Sequence, residues 1–190
     1  MPRVYVIGGP NGAGKTTAAT ALFPDALRCP EFVNADAIAA GISPFRPESV
    51  AMEAGRIMLS RIRRLASDQQ DFAFETTMAS RSFAPFLRAC REQGYTVHLL
   101  FVWLRTPDLA IERVARRVAA GGHHIPDDVV RRRYVRGMRN FLNLYAPLAR
   151  TWDCVDNSGE MPVPVASRDK NGTISVYDAE TWRRIREATK

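Results

Sequence analysis

A glycine-rich segment near the amino terminus has the spacing of a phosphate-binding loop. Residues 9–16 have the sequence G-P-N-G-A-G-K-T, directly after the apolar run 4–7. In such a loop the glycines let backbone N–H groups turn toward the phosphates of a nucleotide triphosphate, the lysine contacts its β- and γ-phosphates, and the threonine hydroxyl binds Mg²⁺. We expect Lys15 to act in catalysis and Thr16 to hold the metal. The predicted nucleotide-binding residues are Gly9, Asn11, Gly12, Ala13, Gly14, Lys15, Thr16 and Thr17.

Two acidic residues, Asp36 and Glu75, each follow a short apolar stretch that is predicted to be a strand. Transfer of a phosphoryl group to a hydroxyl needs one carboxylate that accepts the proton and another group that holds the acceptor or the metal. The two acids are therefore candidates for these roles. Two structural roles stay open: Asp36 could cap a helix that begins at Ala37, and Glu75 could make a structural hydrogen bond.

Arginines are concentrated between residues 105 and 139. This stretch holds nine arginines against four acidic residues, a local net charge of +5 in a chain whose net charge is +7. The planar guanidinium group matches the geometry of phosphate. The segment could clamp a transferring phosphoryl group, or it could bind a nucleic-acid backbone.

Alternating strand and helix patterns must position these residues. A phosphate-binding loop after the first strand, with helices crossing over between parallel strands, predicts an α/β P-loop fold with a doubly wound, five-stranded, mainly parallel sheet. Ligands of such sheets bind at the carboxyl ends of the strands. The predicted strands are 3–7, 31–34, 71–74, 96–104 and 152–155, and the predicted helices are 15–22, 47–67, 82–93, 106–119 and 127–144.

The chain is predicted to form one P-loop domain over residues 1–190. Its core covers residues 1–160 and includes a helical lid at about 113–140. Residues 161–190 are predicted to add a β-hairpin around the turn sequence D-K-N-G and a terminal helix.

Composition limits the class of protein. An apolar fraction of 46% is enough for one sizeable core. No apolar run approaches the ~20 residues that span a membrane, so we expect a cytoplasmic protein without a membrane partner. Cys29, Cys90 and Cys154 are too scattered for a disulfide framework or a zinc site and should be buried. Met52 and Met58 are expected to fill the core.

Several short motifs resemble those of the zeta toxin family of kinases, and more narrowly its small stand-alone branch, which is often labelled as predicted ABC-type ATPases. The resemblance covers about residues 3–159, and the chain has no LSGGQ-like signature of ABC transporters. The motifs are N-A-D at 34–36, F-E-T-T at 74–77, R-V-A-R-R-V at 113–118 with G-G-H at 121–123, R-R-Y at 132–134 and D-N-S at 156–158.

The resemblance implies an ATP- and Mg²⁺-dependent kinase that phosphorylates a sugar hydroxyl of a UDP-aminosugar such as UDP-N-acetylglucosamine. It implies that Asp36 is the general base and that Glu75 and Thr76 face this nucleotide sugar. Asn157 would lie near the adenine. A protein antitoxin is the partner that the family suggests.

The lid departs from the pattern of larger zeta toxins. The loop is a short G-G-H-H sequence, and His123 stands where an arginine is expected. Arg117 and Arg133 are the candidates for binding the γ-phosphate, whereas Arg113 could instead pair with a neighbouring acid. His123 is a candidate contact to the acceptor, and His123 and His124 could also order the loop.

Two other functions stay open. The arginine-rich segment would suit a nucleic-acid-directed kinase or ATPase, although no stacking aromatic residues are interleaved with the arginines, and we do not expect a nucleic-acid partner. A nucleotide-gated binding module with little turnover is the other alternative.

Overall fold

The structure is a computed structural model that describes residues 1–22, 29–122 and 124–188. Seven strands form one sheet at its centre. They are β1 Arg3–Gly8, β2 Phe32–Val33, β3 Phe72–Thr76, β4 Thr96–Trp103, β5 Thr151–Asp156, β6 Val163–Arg168 and β7 Ile174–Val176.

The sheet order is β2-β3-β1-β4-β5-β6-β7. The first five strands are parallel, and β6 and β7 continue the sheet as antiparallel strands. This confirms the predicted P-loop fold with its five-stranded parallel core. The predicted carboxyl-terminal hairpin is present, and it extends the same sheet at the edge formed by β5.

Seven α-helices accompany the strands in the described part of the chain, and none of them is long and apolar enough to cross a membrane. Helix α2 was predicted only as the alternative in which Asp36 caps a helix from Ala37. The predicted helix from residue 47 begins with a 3-10 turn, and the one predicted to end at 144 continues beyond α6 as a wider π turn. The helices are α1 Lys15–Leu22, α2 Ala35–Ile42, α3 Ala51–Ser67, α4 Phe83–Glu92, α5 Pro107–Ala119, α6 Asp127–Asn140 and α7 Ala179–Glu187.

Side-chain caps determine where two helices near the site begin. The Thr106 hydroxyl accepts a hydrogen bond from the Leu109 N–H at 3.1 Å, and Pro107 follows at the first helical position of α5. The Asn34 side chain caps α2 in the same way. Because such caps satisfy N–H groups that have no partner within the helix, they favour helix starts at these residues.

Aromatic side chains pack one face of the sheet against the helices. Phe101 of β4 stacks on Phe141 with 4.2 Å between ring centroids, and Phe141 contacts Trp152 of β5 edge to face. Trp152 stacks in turn on Trp182 of α7. The terminal helix is therefore packed onto the same core as the central sheet.

The prediction that two methionines fill the core was wrong for one of them. Met58 is buried as expected, but Met52 is 76% exposed. The buried stripe of α3 runs through Ala54, Met58 and Ile62, and at about 100° per residue Met52 lies on the opposite side of the helix. The three cysteines are buried and free, as predicted.

Candidate active site

The carboxyl ends of β1, β2 and β3 meet at one cavity of about 750 Å³. Because the sheet order places β3 between β2 and β1, the loops after these three strands are neighbours. Helices α2, α3, α5 and α6 complete the walls. The predicted site residues that line the cavity are Asn11, Gly12, Lys15, Asp36, Glu75, Thr76, Arg117 and Arg133.

Glycines are required in the phosphate-binding loop for two reasons. Gly9 and Gly14 have φ angles of +146° and +84°, which other residues rarely adopt. A Cβ atom on Gly9 would lie 2.2 Å from the carbonyl oxygen of Val102, so the loop also approaches β4 too closely for any side chain. The predicted turn of the backbone around a phosphate is thus compatible only with glycine at these positions.

Lys15 is buried at the base of this loop, with 6% of its surface exposed. Its ammonium group donates a hydrogen bond to the Pro10 carbonyl at 2.9 Å and lies 3.7 Å from a Glu75 carboxylate oxygen. Burial lowers the pKa of Lys15, and the charges of Glu75 and Asp36 oppose this shift. The carbonyl and the carboxylate hold the lysine in the loop.

Thr16 and Glu75 form the pair that could hold a metal ion. The Thr16 hydroxyl donates a hydrogen bond to Glu75 Oε2 at 2.7 Å. A hydroxyl and a carboxylate are the hard oxygen ligands that Mg²⁺ takes, usually together with water and substrate phosphates. This donor set fits Mg²⁺. Glu75 therefore makes a structural hydrogen bond, as the alternative interpretation of this residue expected. The contact of Glu75 and Thr76 with the substrate that accepts the phosphate stays a prediction.

Asp36 is the second residue of α2 and extends into the cavity with about half of its side chain exposed. One of its carboxylate oxygens lies 3.6 Å from the Arg117 guanidinium. The alternative that Asp36 caps the helix is wrong, because Asn34 accepts the capping hydrogen bonds from the N–H groups of Asp36 and Ala37. The Asp36 carboxylate is thus not used to hold α2.

Arg117 and Arg133 approach the loop from two different helices. Arg133 lies on α6, and its guanidinium makes a long 3.5 Å hydrogen bond to the Asn11 side-chain oxygen. Burial lowers the pKa of Arg133, and the charge of Asp36 opposes the shift. Because a guanidinium stays protonated in proteins, both arginines bring positive charge to the mouth of the phosphate-binding loop.

The residues of α6 that follow Arg133 hold this helix against the sheet and its loops. The Tyr134 hydroxyl donates to the Leu104 carbonyl at 2.6 Å, and the Asn140 amide donates to the Met78 carbonyl at 2.7 Å. A Cβ atom on Gly137 would lie 2.4 Å from the Thr77 carbonyl oxygen. The part of the predicted lid that carries Arg133 is therefore packed directly on the loop after β3.

Asn157 contacts the phosphate-binding loop from the end of β5. Its amide donates to the Ala13 carbonyl at 2.8 Å. Next to it, Arg113 donates to the Ser158 carbonyl at 3.3 Å, so the proposed pairing of Arg113 with a neighbouring acid is wrong. The acids in question, Asp108 and Glu112, pair with Arg131 and Arg116. The adenine contact of Asn157 stays a prediction.

Some of the other predicted residues do not line the cavity, and one lies outside the described residues. Thr17 is an exposed residue in the first turn of α1, and His124 is exposed. His123 lies outside the described residues.

Three further arginines line the cavity, although none of them was predicted as a site residue. They are Arg56 on α3 and Arg132 and Arg136 on α6. Arg136 could have been found, because it lies three residues after Arg133 and therefore on the same side of the helix. Arg56 carries no such signal, since its position depends on how α3 packs.

Comparison with known proteins identifies the family. The family model described as Zeta toxin matches residues 1–181. An uncharacterised protein of Haemophilus influenzae is 29% identical over 126 residues, which is 66% of this chain and 88% of that protein.

Solved structures share the fold. A chain of the AvrRxo1-ORF1:AvrRxo1-ORF2 crystal structure has a TM-score of 0.80 and 19% identity, over 97% of this chain and 63% of that chain. This complex is also known with ATP. A structure from the PezAT toxin-antitoxin system of Streptococcus pneumoniae has a TM-score of 0.65 and 14% identity, over 100% of this chain and 84% of that chain.

The chain spans less than two thirds of the AvrRxo1 chain that it matches, and at such identities the likeness shows the fold. The family match, by contrast, covers nearly the whole sequence. It confirms the resemblance seen in the motifs. This chain has a P-loop kinase-like fold and belongs to the zeta toxin family.

Proposed function

We propose that the protein transfers the γ-phosphate of ATP to a sugar hydroxyl of a UDP-aminosugar such as UDP-N-acetylglucosamine. The observation that carries this proposal is the position of Asp36. Its half-exposed carboxylate lies in the same cavity as Lys15 and Arg133, 3.6 Å from the Arg117 guanidinium. A proton acceptor in that position suits a hydroxyl that attacks a phosphate bound by the loop.

The donor half of the proposal rests on the loop and its arginines. Lys15 would contact the β- and γ-phosphates, and Thr16 with Glu75 would hold Mg²⁺. Bound there, Mg²⁺ would neutralise negative charge on the phosphates. Asn157, which contacts the loop at Ala13, would lie near the adenine. The related AvrRxo1 complex that has been determined with ATP supports ATP as the donor.

The acceptor half rests on the cavity beyond Asp36. Its walls combine the apolar side chains of Met52, Leu59 and Phe83 with the guanidinium groups of Arg56 and Arg136. Apolar surface suits the flat faces of a sugar or base, and arginines suit phosphate. A nucleotide sugar carries both kinds of group, and this supports it as the acceptor.

In the proposed mechanism the acceptor hydroxyl lies against Asp36 and attacks the γ-phosphorus in line with the leaving oxygen. Asp36 accepts the hydroxyl proton, the new O–P bond forms, and the bond to the β-phosphate oxygen breaks to leave ADP. Arg117 and Arg133 stabilise the charge that spreads over the transferring group. Arg117 would also leave its contact with Asp36 as the γ-phosphate binds.

A transfer assay tests the reaction. The protein is incubated with γ-labelled ATP, Mg²⁺ and either UDP-sugars, plain sugars or oligonucleotides. Label on UDP-N-acetylglucosamine is the expected result. Label on oligonucleotide ends would support the nucleic-acid-directed alternative instead, and release of label only as free phosphate would contradict transfer to a sugar.

The variant Asp36→Asn tests the general base. Removing the proton acceptor should lower kcat by about 10²- to 10⁴-fold, while ATP binding measured by calorimetry stays unchanged because the loop is intact. Asp68→Asn is the matched control, since Asp68 is an exposed residue that pairs with Arg64 on the surface. Unchanged transfer by Asp36→Asn would rule out Asp36 as the base.

We also propose a protein antitoxin as partner. The PezAT structure belongs to a toxin-antitoxin system, and the AvrRxo1 protein was crystallised with a second protein. Co-expression with the neighbouring reading frame, followed by size-exclusion chromatography and the transfer assay, tests this. A complex that suppresses transfer is expected, and transfer by the stable complex at the rate of the free protein would contradict inhibition.

A further inference from the structure

Asn34 connects two parts of the site through one buried side chain. It lies between β2 and α2 in an extended conformation, with 7% of its surface exposed. Its Oδ1 atom accepts hydrogen bonds from the N–H groups of Asp36 at 2.8 Å and Ala37 at 3.3 Å. These are two of the N–H groups that a helix leaves without a partner in its first turn. Asn34 therefore fixes the start of α2 and, with it, the position of Asp36.

The other end of the same amide contacts the candidate metal-binding pair. Its Nδ2 atom donates to Glu75 Oε2 at 3.0 Å and to the Thr16 hydroxyl oxygen at 3.3 Å. The Thr16 hydroxyl donates to that same carboxylate oxygen, so the three groups form a closed triangle. The orientation of the amide follows from its partners, because the helix offers N–H donors and the carboxylate only accepts.

Helix capping alone does not explain an asparagine at this position. Serine and aspartate cap helices about as well. A serine hydroxyl cannot extend to both sets of partners, and an ionised aspartate has no proton to donate to Glu75. Only a side-chain amide of this length accepts at the helix and donates to the carboxylate together.

We propose that Asn34 is a positioning residue for phosphoryl transfer, which holds Asp36 at a fixed separation from the Thr16–Glu75 pair. The proposal rests on the proposed function, since that function makes Asp36 the proton acceptor and Thr16 a metal ligand. Asn34 acts through these neighbours, in the way that groups hydrogen-bonded to metal ligands orient them.

Two variants separate capping from the link to Glu75. Asn34→Ser and Asn34→Asp both keep an oxygen that can cap α2, and both lose the amide donor. Ala40→Gly is the matched control, because Ala40 is an exposed residue of α2 outside the cavity. Glycine there weakens the helix and leaves every contact of Asn34 in place.

Two measurements report on the two ends of the amide. Calorimetry gives the affinity for ATP in EDTA and in Mg²⁺, and it needs no acceptor. For Asn34→Ser we expect wild-type affinity for ATP in EDTA. The increase in ATP affinity that Mg²⁺ provides should be about 10- to 100-fold smaller than in the wild type. In the transfer assay kcat should fall while the KM for ATP changes little, because the loop itself is intact. Ala40→Gly should match the wild type in both measurements.

Asn34→Asp should lower kcat as Asn34→Ser does, because it too lacks the amide donor. A fall in kcat with little change in the KM for ATP is a signature that a purely structural role would not produce.

The proposal would be overturned if Asn34→Ser kept both the wild-type increase in ATP affinity on adding Mg²⁺ and the wild-type kcat. It would also be overturned if Ala40→Gly lost as much of both as Asn34→Ser does. The test is independent of the acceptor. If the wild type phosphorylates no sugar but Asn34→Ser still loses the Mg²⁺ gain, the proposed function fails and the link between Asn34 and the Thr16–Glu75 pair stands.

Discussion

Arg133 carries its charge to the mouth of the phosphate-binding loop from a half-buried position on α6. If it stabilises the transferring phosphoryl group, its loss should affect the transition state more than the binding of ATP. Arg133→Gln should lower kcat by about 10³-fold, as the loss of a phosphate-binding arginine does in related chemistry, with little change in the KM for ATP.

Arg131→Gln is the matched control for Arg133→Gln. Arg131 is only two residues away, but it is exposed and pairs with Asp108. Surface pairs of this kind contribute little to stability, so steady-state kinetics of Arg131→Gln should match the wild type. A rise in KM with unchanged kcat in Arg133→Gln would instead assign Arg133 to ATP binding.

The proximity of several candidate site residues could be predicted from their neighbours in sequence. The loop spacing identified Lys15 and Thr16, and the ends of predicted strands identified Asp36 and Glu75. Asn34 was part of a recognised motif, but its role could not be predicted. A hydrogen bond from Asn34 to Glu75 joins residues 41 positions apart, and only the packing of β2 beside β3 brings them together.

Helix α6 is held against the loop after β3 by a close approach at Gly137. In Gly137→Ala the added methyl group would overlap the Thr77 carbonyl, and the backbone on both sides is fixed. We expect a loss of about 1–3 kcal/mol in the free energy of unfolding, measured by urea denaturation, together with reduced kcat because Arg133 moves with the helix.

Gly41→Ala is the control for the added methyl group. Gly41 is also helical, but a Cβ atom there meets nothing within 4 Å. Alanine has the higher helix propensity, so this variant should be more stable by up to about 1 kcal/mol. Equal stabilities for the two variants would show that α6 can shift without cost.

At the level of elements, α3 was predicted from its periodicity, whereas α2 was not predicted as a helix in its own right. Helix α3 has a clear apolar stripe. The eight residues of α2, with four alanines and a glycine, have no comparable pattern. Its start is determined by the Asn34 cap, and an N-A-D sequence does not specify which polar residue caps the helix.

The stability of the whole molecule should depend on pH through His98 of β4. This residue stacks on Tyr5 and shares a hydrogen bond with the Thr151 hydroxyl at 2.8 Å. Burial and, to a smaller extent, Arg3 and Arg150 lower its pKa from the ordinary value of 6.5. Below pH 6.5 the unfolded chain therefore binds a proton that the folded chain does not, and stability falls as the pH falls.

Urea denaturation at pH 7.5 and 5.5 measures this effect. The wild type should lose more stability between these pH values than His98→Gln, whose amide can keep the hydrogen bond to Thr151 but does not titrate. Comparing the two pH values within each variant cancels the loss of the Tyr5 stacking. Equal losses in both proteins would mean that His98 is not responsible.

The parallel strands and the hairpin were predictable, but the way in which the hairpin joins the sheet was not. Alternating strands and helices predicted the five parallel strands, and the D-K-N-G turn predicted the hairpin. The antiparallel pairing of β6 with β5 was not predictable, because hairpin residues such as Val163 and Ile174 are exposed and carry no pattern that selects a neighbour.

The burial of Lys15 also decides how the protein can be attached to a surface. The sequence has three lysines, and Lys15 and Lys170 are those in the described part of the chain. Amine-reactive reagents reach the exposed Lys170 and not the enclosed Lys15. Lys170 lies beside Met1 and Thr96, at the amino ends of the parallel strands. A sensor chip coupled through Lys170 would therefore present the nucleotide site, at the opposite end of the strands, to the solution.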